Sequence, residues 1–410
     1  MTRPHPRWPR FAAAAILAVL AAGTGRADFN LTPIGTAGRL DRVNRTLAGQ
    51  VLDFTRNHGC DRRLFSPALG QRRDLYLYLP PGYDGRTAFP AMIWMHGIGQ
   101  DEKDFLDLAP VFDAAIRAGR MPPLVIAAPD GSIRGRASLI QNGSFYVNST
   151  AGRFEDYIIQ DVWGFVRRNF AVRPEREAHV LGGASMGGFG AFNLGFKYRQ
   201  EFGLLVGIMP PLDLRYVDCH GRYFANYDPN CVAYRTEMRP REVIGRFYGV
   251  VKVHSRQLLR PLLGRRDPTA IEFIAAENPV EMLAAYDVRP GEFGMFIGYG
   301  TEDEFNIDAQ AEHFVDVACR RGIRPTVVPI PGGRHNRKTG LAMFPALARW
   351  LTERLVQYTP PGYTPVFIPH GTPLGAVRGP RLVPDPVYLP LVGPVSVPHR
   401  PSPPPARKLP

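Results

Sequence analysis

A serine flanked by two glycines is the feature of this sequence that most directly indicates chemistry. Residues 183–187 read Gly-Ala-Ser-Met-Gly, a G-x-S-x-G pattern centred on Ser185. A short apolar strand precedes the pattern and a helix follows it, so its glycines would allow a sharp turn that exposes the hydroxyl. A phosphate-binding loop or a plain tight turn is the alternative, but the Gly-Lys-Ser/Thr sequence of a nucleotide loop is absent. Ser185 is therefore the candidate nucleophile.

A nucleophilic serine needs a base and an acid that orients the base. His335 follows the last predicted strand in a glycine-rich loop, although a surface histidine is the alternative interpretation. Asp303 follows the preceding strand and could fix the imidazole tautomer, with its neighbours Glu302 and Glu304 as competitors for this role. The order serine, aspartate, histidine along the chain is that of α/β-hydrolases.

An oxyanion formed at Ser185 would need two backbone amide donors. One is predicted to be the amide of Met186, which directly follows the serine. The other is predicted to be Ile98, in the loop after the strand at 91–95. His96 in the same loop is interpreted as a buried structural residue rather than a catalytic one.

Alternating strand and helix patterns predict where these residues lie. Apolar or alternating runs indicate strands, and 3.6-residue periodicity indicates helices. The strands are expected at 74–79, 91–95, 124–128, 179–181, 204–209, 294–299 and 326–330, and the helices at 154–170, 309–321 and 341–356. This alternation is typical of an α/β fold, a mostly parallel sheet with helices on both faces. Active sites in such sheets lie at the carboxyl ends of the strands.

Residues 211–275 interrupt this alternation and are predicted to form a lid-like insertion after the sixth strand. They carry a dense set of aromatic side chains, which could line a substrate pocket or pack a small subdomain. The set comprises Tyr216, Tyr223, Phe224, Tyr227, Tyr234, Phe247 and Tyr248.

The amino-terminal segment has the character of a secretory signal. Residues 1–27 contain three arginines at 3, 7 and 10, then an apolar run at 11–22 and small residues at 25 and 27 before Asp28. An uncleaved anchor is the alternative, although the apolar run is too short to span a bilayer. Residues 28–71 are then an extension that precedes the α/β domain. We therefore expect a secreted or periplasmic protein.

The carboxyl-terminal segment, residues 359–410, is rich in proline. Proline lacks an amide donor and fixes φ, so helices and central strands are excluded from this segment. It is predicted to be an extended tail outside the α/β-hydrolase domain at 72–358. Docking on the domain, on a partner or on an envelope surface is the alternative.

Composition and cysteine content narrow the function classes. The net charge is +13 but the basic residues are scattered, which argues against nucleic-acid binding. The sequence contains no run of eighteen or more apolar residues, so a transmembrane protein is not expected. Cys219 and Cys231 are predicted to form a disulfide, whereas the pairing of Cys60 and Cys319 is left open. No metal-ligand spacing is present, so neither a metal nor a cofactor is expected.

Three stretches of the chain resemble the putative esterase family, which includes esterase D (S-formylglutathione hydrolase) and the antigen 85 mycolyltransferases. The stretches are Asn-Gly-Ser-Phe-Tyr-Val-Asn-Ser at 142–149, Gly-Arg-Phe-Glu-Asp-Tyr-Ile at 152–158 and Gly-Gly-Ala-Ser-Met-Gly-Gly-Phe-Gly-Ala at 182–191. The resemblance spans about residues 72–358 and implies an α/β-hydrolase fold. It also implies ester hydrolysis by a triad of Ser185, Asp303 and His335.

The first of these stretches is expected to contact the substrate through Asn142, Tyr146 and Asn148. The leading hypothesis is an exported serine esterase that cleaves a small-molecule or polymer-linked ester through an acyl-enzyme. An acyltransferase that uses the same site is one alternative. A non-catalytic binding or envelope protein built on a hydrolase scaffold is the other.

Overall fold

An eight-stranded sheet forms the centre of the protein. The computed structural model describes residues 37–138, 141–248, 250–259 and 270–364. The strands are β1 (Gln50–Phe54), β2 (Leu75–Leu79), β3 (Ala91–Met95), β4 (Val125–Pro129), β5 (His179–Ala184), β6 (Leu204–Ile208), β7 (Gly294–Gly300) and β8 (Thr326–Ile330).

The order across the sheet is β1-β2-β4-β3-β5-β6-β7-β8. Strand β2 is antiparallel to β1 and β4, and the remaining neighbours are parallel. Parallel strands place their carboxyl ends at one edge, where β3, β5, β7 and β8 lead into the loops that carry the candidate residues. The predicted α/β-hydrolase fold is confirmed.

Helices cover both faces of the sheet, and the two faces contribute to separate hydrophobic clusters. The helices are α1 (Ala37–Asn44), α2 (Phe105–Arg117), α3 (residues 154–169), α4 (Met186–Lys197), α5 (Ser255–Leu258), α6 (Ala270–Glu277), α7 (Pro279–Ala285), α8 (Ile307–Arg320) and α9 (Arg337–Leu355). Side chains from α3, α4, α7 and α8 join the cluster on one face. Those from α1, α2 and α9 join the cluster on the other. Helix α3 is wound as a π-helix over Tyr157–Trp163, and short 3₁₀ turns lie at Glu102–Asp104, Arg176–Ala178 and Val356–Tyr358.

The predicted strands agree with the structure to within a few residues, but several elements were not predicted, among them strand β1 and helices α1, α2, α6 and α7. Strand β1 is only five residues long, includes Gln50 and Asp53, and comes from the segment before residue 72. Helix α2 contains Pro110, which obscures its helical character in the sequence. Helix α9 begins four residues earlier than predicted because the Asn336 side chain accepts a hydrogen bond from Thr339 N and caps the helix.

The insertion at 211–275 contains two β-hairpins. Tyr216–Asp218 pairs with Val232–Tyr234, and Val243–Phe247 pairs with Val251–His254. The predicted disulfide between Cys219 and Cys231 closes the first hairpin. Two further hairpins lie outside the insertion, pairing Leu64–Ser66 with Gln71–Arg73 and Asn148–Ser149 with Gly152–Arg153.

Cys60 and Cys319 are free thiols. The predicted signal at 1–27 lies outside the described residues, as does the proline-rich tail from residue 365 onward. None of the helices in the described ranges combines the length and the apolar character that a bilayer crossing requires.

A buried carboxylate on α2 fastens the chain that leads into β1. Asp113 accepts hydrogen bonds from the amides of Ala48 and Gly49 and from the Tyr78 hydroxyl, and it pairs with Arg117. We expect Asp113→Ala to lower the free energy of unfolding by about 2–4 kcal/mol, because the substitution leaves buried donors without an acceptor. Chemical denaturation measures this loss.

The matched control is Asp107→Ala on the same helix, where a half-exposed carboxylate pairs with Arg39 and Arg337 at the surface. Exposed ion pairs contribute about 0–1 kcal/mol each, so this change is expected to cost less. Equal losses in the two variants would contradict the anchoring role of Asp113.

Candidate active site

The candidate nucleophile occupies a turn that only glycine neighbours allow. Ser185 follows β5 and directly precedes α4, with φ 52° and ψ −117°. A Cβ built on Gly187 would lie 2.0 Å from the Met95 carbonyl oxygen, and one on Gly183 would lie 2.5 Å from the same oxygen. Side chains at these two positions would therefore push the turn away from β3. The Ser185 amide donates to Ile208 O at 2.8 Å, which fixes the other side of the turn.

The structure brings Ser185, His335 and Asp303 together in a continuous hydrogen-bonded line. His335 Nε2 lies 3.0 Å from Ser185 Oγ, and His335 Nδ1 lies 2.7 Å from Asp303 Oδ2. The other Asp303 oxygen accepts from the Phe305 amide at 2.8 Å, which fixes the carboxylate. With Nδ1–H donated to Asp303, the neutral ring presents Nε2 as an acceptor to the serine hydroxyl.

The three adjacent acids after β7 have different positions. Asp303 has a fully buried carboxylate on the imidazole. Glu302 is mostly exposed, with 62% of its side chain accessible. Glu304 Oε2 accepts a 2.7 Å hydrogen bond from the backbone amide of His335. The loop thus uses one acid for the ring and another for the backbone of the same histidine.

These charges set the proton affinity of the base. Burial by itself lowers the pKa of His335, because it disfavours the charged ring. The negative charge of Asp303, its hydrogen bond to the ring and the charge of Glu304 act in the opposite direction and outweigh burial. The pKa of His335 is raised above its ordinary value as a result.

His96 controls the direction of the peptide before Ile98. His96 Nδ1 donates to Gly97 O at 2.8 Å, and Nε2 accepts from the Gly131 amide at 2.9 Å. In a planar trans peptide the C=O and the following N–H point in opposite directions. A Gly97 carbonyl turned toward His96 therefore turns the Ile98 amide the other way. The predicted structural role of His96 agrees with this geometry.

The amide of Met186 is the second predicted donor of the oxyanion hole. Met186 is the first residue of α4, so its N–H has no acceptor within the helix. The helix dipole also favours negative charge at this end. Ile98, Met186, Ser185 and His335 all line one pocket.

The three residues expected to contact the substrate make hydrogen bonds inside the protein. Buried Asn142 accepts from Arg134 N and donates to Arg136 O. Tyr146 is fully buried and donates to His96 O at 3.0 Å, and Asn148 accepts from Asp156 N at 3.3 Å. The structure thus gives all three a part in supporting loops around the site. Their contact with substrate stays a prediction.

The pocket beside Ser185 is apolar and has a volume of about 120 Å³. Its walls include residues that the sequence did not single out. Phe145, held at φ 51°, is one of them, and the second hairpin of the insertion supplies several more. No local signal in the sequence marks these positions as pocket residues, since their patterns are those of ordinary buried strands.

The aromatic set of the insertion is divided among three places. Tyr223 and Phe247 line the apolar pocket. Phe224 and Tyr248 line a separate polar depression. The remaining three surround the buried ring of His313, whose Nδ1 bonds to Asp213, and these are Tyr216, Tyr227 and Tyr234. Both roles expected for the set, pocket lining and packing, are present.

Comparisons with known proteins agree with this geometry. The sequence matches the family described as Putative esterase over residues 66–321, more than half of the chain. An esterase of Mycobacterium tuberculosis is 29% identical over 218 residues, which cover 49% of this chain and 44% of the relative. The S-formylglutathione hydrolase of Arabidopsis thaliana is 26% identical over 151 residues, covering 34% of this chain and 51% of the relative. The chain thus spans about half the length of these curated relatives.

Solved structures share the fold. A ferulic acid esterase superposes with a TM-score of 0.55 at 15% identity, covering 75% of this chain and 99% of that one. An S-formylglutathione hydrolase from Agrobacterium tumefaciens gives a TM-score of 0.52 at 16% identity, covering 75% and 96%. At these identities the likeness concerns the fold alone.

The charges around His335 lead to a pH prediction. Covalent labelling of Ser185 by a fluorophosphonate requires the neutral ring, so its rate should rise with pH through the pKa of His335. Because that pKa is raised, we expect a midpoint above the ordinary value of about 6.5. Glu304→Gln removes one of the charges that raise it, so the midpoint should move to lower pH.

Glu302→Gln is the matched control for this shift, since that carboxylate is mostly exposed and solvent screens its charge. We expect it to leave the midpoint in place. A wild-type midpoint below about 6.5, or no displacement in Glu304→Gln, would show that the charges do not act on the ring as argued.

Proposed function

The chain belongs to the putative esterase family, and from this membership and the site geometry we propose that it hydrolyses carboxylic esters through a serine acyl-enzyme. The observation that carries the proposal is the line from Ser185 Oγ through His335 to Asp303, with separations of 3.0 and 2.7 Å. Nucleophile, base and orienting acid are in hydrogen-bond reach before any substrate binds.

In the first half of the reaction, Ser185 Oγ attacks the ester carbonyl carbon while His335 Nε2 takes the hydroxyl proton. The resulting imidazolium is stabilised by Asp303. The oxyanion accepts hydrogen bonds from the amides of Met186 and Ile98. As the tetrahedral species collapses, the carbon–oxygen bond to the alcohol breaks, and His335 gives its proton to the departing oxygen.

In the second half, a water molecule takes the place of the alcohol. His335 removes a proton from this water, which attacks the acyl carbon of the ester on Ser185. The second tetrahedral species uses the same two amides and collapses to release the carboxylic acid. The proton on His335 returns to Ser185 Oγ, so the enzyme ends as it began.

We further propose that the protein is exported and acts on a small-molecule or polymer-linked ester. The disulfide between Cys219 and Cys231 supports export, because disulfides persist in oxidising compartments. The signal-like segment at 1–27 supports it independently. Sequencing the amino terminus of the protein purified from its natural host tests this, and a mature chain that begins at Asp28 is the expected result. Recovery from the cytoplasm with residue 1 intact would contradict export.

The nucleophile is tested by Ser185→Ala. We expect ester hydrolysis to fall by a factor on the order of 10³–10⁶ in kcat, with the melting temperature close to that of the wild type. The fold should survive because the hydroxyl contributes little packing on this turn. Activity within tenfold of the wild type would exclude Ser185 as the nucleophile.

The orienting acid is tested by Asp303→Asn. This substitution keeps the shape of the side chain, but the amide carries no charge and can donate to His335 Nδ1, which favours the wrong tautomer of the ring. We expect kcat to fall by about 10⁴. Glu302→Gln is the matched control one residue away and should retain nearly full activity. If Glu302→Gln or Glu304→Gln reduces kcat more than Asp303→Asn does, the acid has been assigned to the wrong residue.

A further inference from the structure

The apolar pocket beside Ser185 extends away from the catalytic groups into the second hairpin of the insertion. We propose that this pocket binds the acyl part of the substrate, and that the preferred substrates are esters of medium-length apolar acids. This inference rests on the proposed ester hydrolysis and adds a substrate class to it.

The hairpin turns its apolar side chains toward the pocket. Ile244, Phe247 and Val253 line it and are 8%, 5% and 5% exposed. Arg246, between two of them in sequence, faces outward and stacks on Phe224 at 4.1 Å. The pairing register of this strand shifts between Val243 and Gly245, and Ile244 and Phe247, three residues apart, both reach the pocket while Arg246 stays exposed.

The charged group in the pocket wall is already engaged by the protein. Arg235 Nη1 pairs with Glu242 at 2.7 Å, and its guanidinium lies 4.8 Å from the centre of the Tyr223 ring. Gln310 donates its amide to the Tyr223 hydroxyl at 3.0 Å. The ion pair favours an uncharged ligand over an anionic one, because an anion would have to compete with Glu242 for Arg235.

The pocket lies on the acyl side of the reaction. Ile98, Met186 and Phe145 line it, and the amides of the first two are the proposed oxyanion donors, so the acyl chain next to the carbonyl carbon meets this wall. The other face of the hairpin borders a polar depression lined by Phe224, Arg246, Tyr248, Glu302, Asp303, Glu304 and Arg334. His335 itself lines the apolar pocket, and the depression is lined instead by the acids of the loop after β7 and by Arg334, which precedes His335 in the sequence.

The volume limits the length of the acyl chain. At about 120 Å³ the cavity is smaller than the roughly 300 Å³ at the lower end for drug-sized ligands. A short or medium-length acyl chain therefore fits better than a long lipid chain. Each methylene buried in the pocket is expected to raise kcat/KM about fourfold, equivalent to about 0.8 kcal/mol, until the pocket is full.

The experiment measures kcat/KM for p-nitrophenyl esters from acetate to palmitate and, in parallel, for acetate esters of alcohols of increasing length. We expect octanoate to exceed acetate by about 30-fold or more and palmitate to fall again. Lengthening the alcohol should change kcat/KM by less than about threefold.

Two variants test whether the hairpin forms the wall. Val253→Phe fills the pocket, so the octanoate-to-acetate ratio should fall about tenfold or more. Val250→Phe is the matched control, because it makes the same change in the same hairpin at a residue that is 77% exposed. It should leave the ratio unchanged. Should Val253→Phe fail to fold, Phe247→Ala widens the wall instead, and its optimum should move to longer acyl chains.

The outcomes separate this inference from the proposed function. If acetate is cleaved and a fluorophosphonate labels Ser185, but the ratio is flat or follows the alcohol chain, the acyl-pocket inference is overturned while the esterase proposal stands. If no ester is cleaved and Ser185 is not labelled, the proposed function itself fails. A ratio that falls equally in Val250→Phe also overturns the assignment of the wall.

Discussion

The close approach of two backbones at the carboxyl edge of the sheet is the constraint on which the site depends. The Met95 carbonyl, at the end of β3, lies where a Cβ on Gly183 or Gly187 would have to be. The turn that carries Ser185 is therefore pressed directly against the strand that leads into the His96–Ile98 loop. This contact sets the spacing between the serine and both proposed oxyanion donors, since Met186 belongs to one partner and Ile98 to the other. Neither donor could be displaced without moving a strand of the central sheet.

Buried polar groups hold the loop on the oxyanion side. His96 fixes the Gly97 carbonyl and accepts from Gly131, while the Tyr146 hydroxyl donates to the His96 carbonyl. Behind them Asp130 is fully buried and paired with Arg73 at 3.0 Å. Removing one member would leave a buried group without its partner, which costs more than the bond itself contributes. The oxyanion side is thus rigid before substrate arrives, as electrostatic stabilisation of a transition state requires.

The base is held by acids of one short loop, and the substrate wall comes from a different part of the chain. Asp303 orients the imidazole of His335 and Glu304 holds its backbone, so the same loop fixes the position and the proton affinity of the base. The insertion adds an apolar wall without supplying any member of the catalytic line. The hairpin nevertheless touches the acid loop, because the Arg246 amide donates to Glu304 O at 2.8 Å and Phe247 packs against Phe305.

Local rules in the sequence determined the elements and the identity of the candidate nucleophile. Period-two and apolar runs located seven of the eight strands, and the glycines around Ser185 specified a sharp turn. The disulfide followed from two cysteines twelve residues apart. Strand β1 was not predicted, because five residues with polar neighbours carry little periodic signal and their pairing with β2 is a long-range contact.

Only the tertiary structure decided between residues that local sequence treats alike. The three consecutive acids at 302–304 cannot be told apart by local sequence pattern. In the structure they differ in the direction that each side chain takes after β7. Asn142, Tyr146 and Asn148 are predicted substrate contacts, and the structure adds that each also makes a hydrogen bond within the supporting loops. The division of the aromatic residues among a pocket, a depression and a packed histidine likewise depends on how the insertion lies over the sheet. The physical reason is the same in each case: orientation is fixed by contacts with chain segments far away in sequence, and no local pattern encodes them.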